Sequence, residues 1–250
     1  MSKLENLFAK LSTSTSEVEE KEYGPILDIF LHLKAPGWEN IFSDKEMIEE
    51  VKDISLRLKD KMHLITPICK NIFRAFELTP LDKVKVVLIG QDPYPGGQAV
   101  GLSFSVDKNT SIPASLVNIF KELKSNYPET VLKNHGDLTA WAEEGVLLLN
   151  YTLTTELGKR NAHKGLWIGF MQKIIYALRD YRPKCIFVLW GREAEKITDM
   201  FGPSHPFTVL TAGDPPSMNT KGTFIGCQHF LKINMILESK GVSPICWNLK

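Results

Sequence analysis

The chain has 250 residues, 43% hydrophobic and 24% charged, with a net charge of +1. These are ordinary globular proportions, and they exclude a collagen-like, coiled-coil or disordered chain. A chain of this length buries roughly 70–75% of its unfolded surface on folding, enough for a sizeable core without disulfide or metal staples.

Residues 1–50 carry 5 basic against 11 acidic side chains, which leaves a surplus of seven positive charges over residues 51–250. A mildly basic body suits a polyanionic partner without demanding one. Cys69, Cys185, Cys227 and Cys246 form no C-x-x-C pair and read as buried thiols of a reducing compartment. No run approaches the roughly 18 apolar residues of a membrane span, and the acidic N-terminus lacks a signal-peptide core. The expected location is the nucleus or the cytoplasm.

Residues 1–36 read as an N-terminal extension. Leu4, Leu7, Phe8 and Leu11 recur at helical spacing, and residues 26–33 form a second apolar piece. Such an element either caps the core or docks on another protein. Pro36-Gly37 punctuates the start of the main domain, residues 37–250. Asp44 is placed to cap a helix reaching Lys61, with Met47, Val51, Ile54 and Leu58 on one face. A second helix is expected from Pro67 to Phe76. Residues 84–89 are a β-branched run ending at Gly90, the pattern of a strand buried on both faces. Further strands are expected at 146–149, 186–189 and 207–211, and further helices at 113–126, 166–179, 192–201 and 228–239. Buried strands alternating with helices imply an α/β, doubly wound fold: a central four-stranded parallel sheet flanked by helices.

In such sheets ligands bind beyond the carboxyl ends of the strands. Four segments qualify: residues 90–104, 150–164, 190–191 and 212–222. The first reads GQDPYPGGQAVGLSF. Neither G-x-G-x-x-G nor G-x-x-x-x-G-K-[ST] is present, which weighs against a nucleotide-binding enzyme of another class. A single carboxylate, Asp92, sits on a proline-braced turn, and that rigidity is what a water-activating group requires.

GQDPY at 90–94 and GLSFSV at 101–106 are similar to the first motif of the classical uracil-DNA glycosylase family. IPASLVNIFKEL, WAEEGVLLLN, FVLWG and IGCQHF follow in the family's order, so the resemblance extends over about residues 37–249. It implies an enzyme that flips deoxyuridine out of single- or double-stranded DNA and hydrolyses its glycosidic bond in base-excision repair, as a monomer without metal or cofactor. It also implies that Asp92 serves the water and the sugar cation, and that Gln91 contacts the base through its backbone. Tyr94 would exclude thymine's methyl group, Phe104 would stack on uracil, and Asn150 would read the uracil edge through its amide. Ser115 and Ser217 would hold phosphates, and His163 in RNAHK would lie near Asp92 and the DNA backbone.

The chain departs from the family in two places. Position 95 is proline, where the family's motif continues with histidine, and the loop that follows is one residue shorter than in many relatives. The family's second motif, H-P-S-P-L-S, is replaced by TAGDPPSMNTKG, so its histidine position is taken by Gly213 or Asp214 depending on register. Loss of one donor to a developing oxyanion costs about 10²–10³ in rate, which predicts reduced turnover rather than none. The leucine wedge of that loop is replaced by Met218 in one register and Ser217 in the other, with Lys221 beyond it to meet phosphate. The alternative is a catalytically weak or inactive member that binds DNA or accompanies replication, with residues 1–36 docking on a replication or repair protein.

Overall fold

The computed structural model describes residues 23–215 and 224–250. The helical spacing at Leu4–Leu11 and the sites at Ser217, Met218 and Lys221 lie outside them.

Four strands form the central sheet: β2 (Val86–Gly90), β3 (Val146–Asn150), β5 (Ile186–Trp190) and β6 (Thr208–Ala212). They pair in the order β3-β2-β5-β6, every pair parallel. β2 and β5 are buried along their whole length, whereas β6 at the edge is only partly covered. The helices are α1 (Pro25–Leu31), α2 (Glu39–Phe42), α3 (Lys45–Leu58), α4 (Arg74–Leu78), α5 (Ala114–Asn126), α6 (Thr139–Glu143), α7 (Ile168–Tyr181), α8 (Arg192–Glu195) and α9 (His229–Ser239). The chain leaves β2 for its neighbour on one side, β3, then returns past β2 to β5 on the other. The strand order therefore reverses at β2, which makes the carboxyl ends of β2 and β5 the switch point where a crevice opens.

Asp44 caps α3 as its sequence position implies, accepting the Met47 N–H at 3.1 Å. Residues 67–76 depart from the expected single helix. Ile65–Thr66 instead form β1, paired antiparallel with β4 (Thr155–Glu156), and Thr66-Pro67 is a cis peptide. Proline restricts the preceding Thr66 to extended backbone, as its place in β1 requires, and the chain after it forms a 3₁₀ turn at Cys69–Asn71 and the short α4 in place of one helix. The helix expected at 192–201 also divides, into α8 and a 3₁₀ stretch at Lys196–Met200. There the Thr198 hydroxyl donates to the Glu195 carbonyl at 2.8 Å and competes with the helical ladder.

The apolar piece at 26–33 lies inside the core. Gly24 turns the chain with φ 89°, Pro25 opens α1, and Ser55 of α3 ties the two: its hydroxyl donates to the Gly24 carbonyl and accepts the Leu27 N–H. Phe30 is 2% exposed and meets Phe42, Phe73 and Phe170 with ring centroids 5.1–6.3 Å apart. The cooperative core therefore extends N-terminal of Pro36-Gly37. Phe30→Ala is expected to cost about 3–5 kcal/mol, the range for a buried phenylalanine, measured by urea denaturation. A helix resting loosely outside the core would lose far less.

Candidate active site

The loops leaving all four sheet strands wall one cleft of about 920 Å³. β2 delivers Gln91, Asp92 and Tyr94, with Phe104 further along its loop. β3 delivers Asn150 and, ten residues on, Arg160; β5 ends in Trp190 and Gly191; and β6 leads to Gly213 and Asp214. Ser115 enters from the first turn of α5.

Parallel register sets Gly90 directly beside Asn150 at the last rung of the β2–β3 ladder. A Cβ on Gly90 would stand only 2.3 Å from Asn150 Oδ1 and 3.0 Å from the Ser103 Cβ. Glycine is what lets the amide occupy that space. Among the described residues the Asn150 amide has no hydrogen-bond partner, so its donor and acceptor face the cleft unspent.

Asp92 is half-buried, and its Oδ2 accepts the Asn161 backbone N–H at 2.7 Å. Burial raises its pKa, while that hydrogen bond and the Arg160 charge pull the other way. Asn161 adopts φ 55° and also accepts the Gln91 side-chain N–H at 2.7 Å, so one residue braces two consecutive motif positions. The Gln91 carbonyl accepts the Thr152 N–H, joining the same two loops through the main chain.

The Tyr94 hydroxyl donates to the Phe104 carbonyl at 3.1 Å and lies 2.8 Å from the Ser115 Oγ. Burial pushes its pKa up to about 12, so the phenol stays neutral. Phe104 itself takes φ 63°, and its ring meets Trp190 at 5.6 Å. Ser115 therefore spends its hydroxyl on Tyr94. The site expected for phosphate serves, in this structure, to hold the ring.

His163 does not wall the cleft. It is 7% exposed, and its Nδ1 pairs with the Thr154 hydroxyl, which accepts the Trp167 indole N–H. The group that reaches Asp92 from this segment is the Asn161 N–H, two residues earlier.

Asp214 follows β6 at the mouth of the cleft, packed against Gly191, where a Cβ would lie 3.0 Å from its own Cβ. Although solvent reaches the residue, partial burial raises its pKa and Arg160 opposes the rise. No histidine walls the cleft among the described residues. The segment that continues from Asp214 is anchored at both stems by one face of α5. Asn118 donates to the Pro215 carbonyl at 2.7 Å; one turn on, the fully buried Glu122 accepts the Gly226 and Gln228 N–H groups at 2.6 and 2.8 Å.

Asn118, Arg160, Asn161 and Trp190 lie in stretches the sequence singles out, IPASLVNIFKEL, RNAHK and FVLWG, but only the three-dimensional arrangement shows what each of them holds. The Trp190 indole N–H donates to His229 Nδ1 at 3.0 Å, which fixes the back of the cleft.

An α/β sheet whose switch-point cleft brings together the Asp92 carboxylate, the Asn150 amide and the Tyr94 and Phe104 rings defines a small-ligand hydrolase site more than a cofactor fold. A model of the uracil DNA glycosylase superfamily matches residues 76–238. The uracil-DNA glycosylase of Dichelobacter nodosus is 43% identical over 218 residues, covering 85% of this chain and 94% of that protein. That of Yersinia enterocolitica is 46% identical over 188 residues, covering 74% and 82%. The solved mimivirus uracil-DNA glycosylase superposes with a TM-score of 0.77 at 29% identity over 88% of this chain and 89% of that one. A mimivirus UNG in complex with UGI gives the same score at 30% identity, covering 88% and 91%. The chain belongs to the uracil-DNA glycosylase superfamily.

His229 is 3% exposed, and burial lowers its pKa to about 4, with His163 lowered in the same direction. The unfolded chain takes up these protons first, so their contribution is complete above pH about 6.5 and is lost as pH falls toward 4. For His229 the loss amounts to about 3 kcal/mol, at 1.36 kcal/mol per pKa unit. Urea midpoints between pH 7 and 4 should show it, and His229→Gln should remove the larger share of the slope while keeping an acceptor for Trp190.

Proposed function

We propose that the protein removes uracil from DNA, flipping deoxyuridine into the cleft and hydrolysing its N-glycosidic bond as a step of base-excision repair. The observation that carries this reading is the convergence of Asp92, Tyr94, Phe104 and Asn150 on one cleft. In the reaction, the water oxygen bonds to the sugar C1′ and the C1′–N1 bond breaks. Its electron pair leaves on uracil, and the water's proton passes to Asp92. The Asp92 charge stabilises the cationic sugar in the transition state, and its backbone brace removes the cost of orienting it.

Specificity follows from the fixed groups. The Tyr94 ring, held by Phe104 and Ser115, occupies the space a 5-methyl group would need. The Asn150 amide pairs with uracil O4 and N3–H, and the reversed pattern of cytosine would leave it unpaired in a dry site. Phe104 offers a face for stacking.

Turnover is reduced in this proposal because neither Gly213 nor Asp214 replaces the imidazole donor to uracil O2. The chain acts as a monomer in the nucleus or cytoplasm, on single-stranded uracil DNA in preference to duplex. Residues 1–36, through the part that precedes the packed α1, contact a replication or repair protein.

Timed uracil release from a single-stranded oligonucleotide tests the activity. Asp92→Asn should lower the rate at least about 10³-fold, and wild-type release no greater than that variant's would overturn the reading. Gly90→Ala, which crowds Asn150, should lower kcat/KM for uracil by about 10²-fold or more while the chain stays folded by circular dichroism. Restoring the donor by Gly213→His or Asp214→His should raise kcat by about 10-fold or more in the correct register. The rate should fall as pH drops through the Asp92 carboxyl pKa, and that limb should lie above the ordinary value of about 3.9.

A further inference from the structure

The cleft that must receive a polyanion is walled by four carboxylates, Asp92, Glu193, Glu195 and Asp214, against two arginines, Arg160 and Arg192. Glu193 is already neutralised by Lys196 and by Lys164 at 3.5 Å. The two acids nearest the base-reading groups, Asp92 and Asp214, have no ion-pair partner among the described residues. Arg160 stands next to them.

Its backbone is clamped on both sides. The Lys159 carbonyl before it accepts the Thr155 hydroxyl at 2.7 Å, and the Asn161 N–H after it binds Asp92 at 2.7 Å. Gly158 N–H donates to the Pro95 carbonyl, locking the same turn to the motif loop. The guanidinium itself is exposed and makes neither a hydrogen bond nor an ion pair among the described residues. A rigid stem carrying an unspent planar cation at the rim of a cleft suits a bidentate anion rather than a structural pair. The uracil-reading groups lie deeper than this exposed rim, so the anion it meets is the sugar-phosphate chain and not the base.

We propose that Arg160 grips the phosphodiester beside the extruded nucleotide and offsets the charge that Asp214 adds to the cleft. The proposal rests on the DNA-repair reading for its ligand. Arg160 also lowers the carboxyl pKa of both Asp92 and Asp214 against their burial, which places its charge within reach of each. Arg192, the other arginine of the cleft, has no part in the shift of either carboxyl group.

The test is binding to a single-stranded oligonucleotide carrying one 2′-fluoro-deoxyuridine, whose glycosidic bond resists hydrolysis, followed by anisotropy from 50 to 300 mM KCl. Arg160→Gln should lower the slope of log K against log salt by about 0.7, the value of one phosphate contact on a single strand. Arg160→Lys should keep the slope, and Arg179→Gln, far from the cleft, should leave it unchanged. On cleavable substrate at pH 8, Arg160→Gln should raise KM and leave kcat within about twofold, as expected of a contact present equally in ground and transition states. An unchanged salt slope overturns the proposal. So does a fall in kcat with KM unchanged, which would put the guanidinium on the reacting base. If wild type releases no uracil but Arg160→Gln still loses slope, the glycosylase reading fails and the phosphate contact stands.

Discussion

The last rung of the β2–β3 ladder, where Gly90 lies beside Asn150, is the constraint on which the rest of the cleft depends. Parallel pairing brings two strand ends level, so the residues that leave the sheet together are those with the same register. On one strand the side chain is absent, and on the other it is an amide that fills the space so released. Every later element of the site is arranged around that amide. Asp92 and Tyr94 come two and four residues after the glycine, too close to it in the chain to be directed elsewhere.

Rigidity beyond that rung comes from hydrogen bonds between loops, which the sheet alone does not supply. Asn161 binds Asp92 through its N–H and Gln91 through its side chain, and Ser115 and Phe104 share the Tyr94 hydroxyl. Two residues, Asn161 and Phe104, hold left-handed backbone to make these contacts. Non-glycine residues in that region cost energy, and the hydrogen bonds around them offset it. The result is a set of groups already in place before a ligand arrives, which is where binding and catalysis gain most.

Much of this was legible in the amino-acid order. The β-branched runs at 84–89 and 186–189 announce strands covered on both faces, and their positions predict the sheet and the cleft at its carboxyl end. Asp92 is visible from its place on a proline-braced turn just beyond a strand terminus, whereas Tyr94, Phe104 and Asn150 are visible through the likeness of GQDPY, GLSFSV and LLLN to the family's motifs. What stayed hidden depends on contacts distant in sequence. β1 and β4 have two residues each, too few for a periodicity, and exist only because 90 residues of chain bring them together. The burial of α1 depends on Ser55, 28 residues from the N–H it binds. His163 looks like a site residue by its neighbours in sequence, yet its ring turns to Thr154 and the interior. Arg160 gives the opposite case: an unremarkable surface arginine in sequence, made distinctive by the two anchored peptide groups on either side of it.

The α5 anchors carry one more implication. Asn118 and Glu122 hold the chain at 215 and at 226–228, so the stretch between them begins and ends at fixed points on a single rigid helix. The free-energy cost of joining two fixed ends depends only weakly on the length of chain between them. Within that stretch Phe224 packs on Trp190 with ring centroids 4.8 Å apart, so it is the residues before Phe224 whose insertion or replacement leaves the sheet and the aromatic wall in place. The second motif can thus drift while the first is held still, and evolution can revise the hand that meets the ligand without rebuilding the palm.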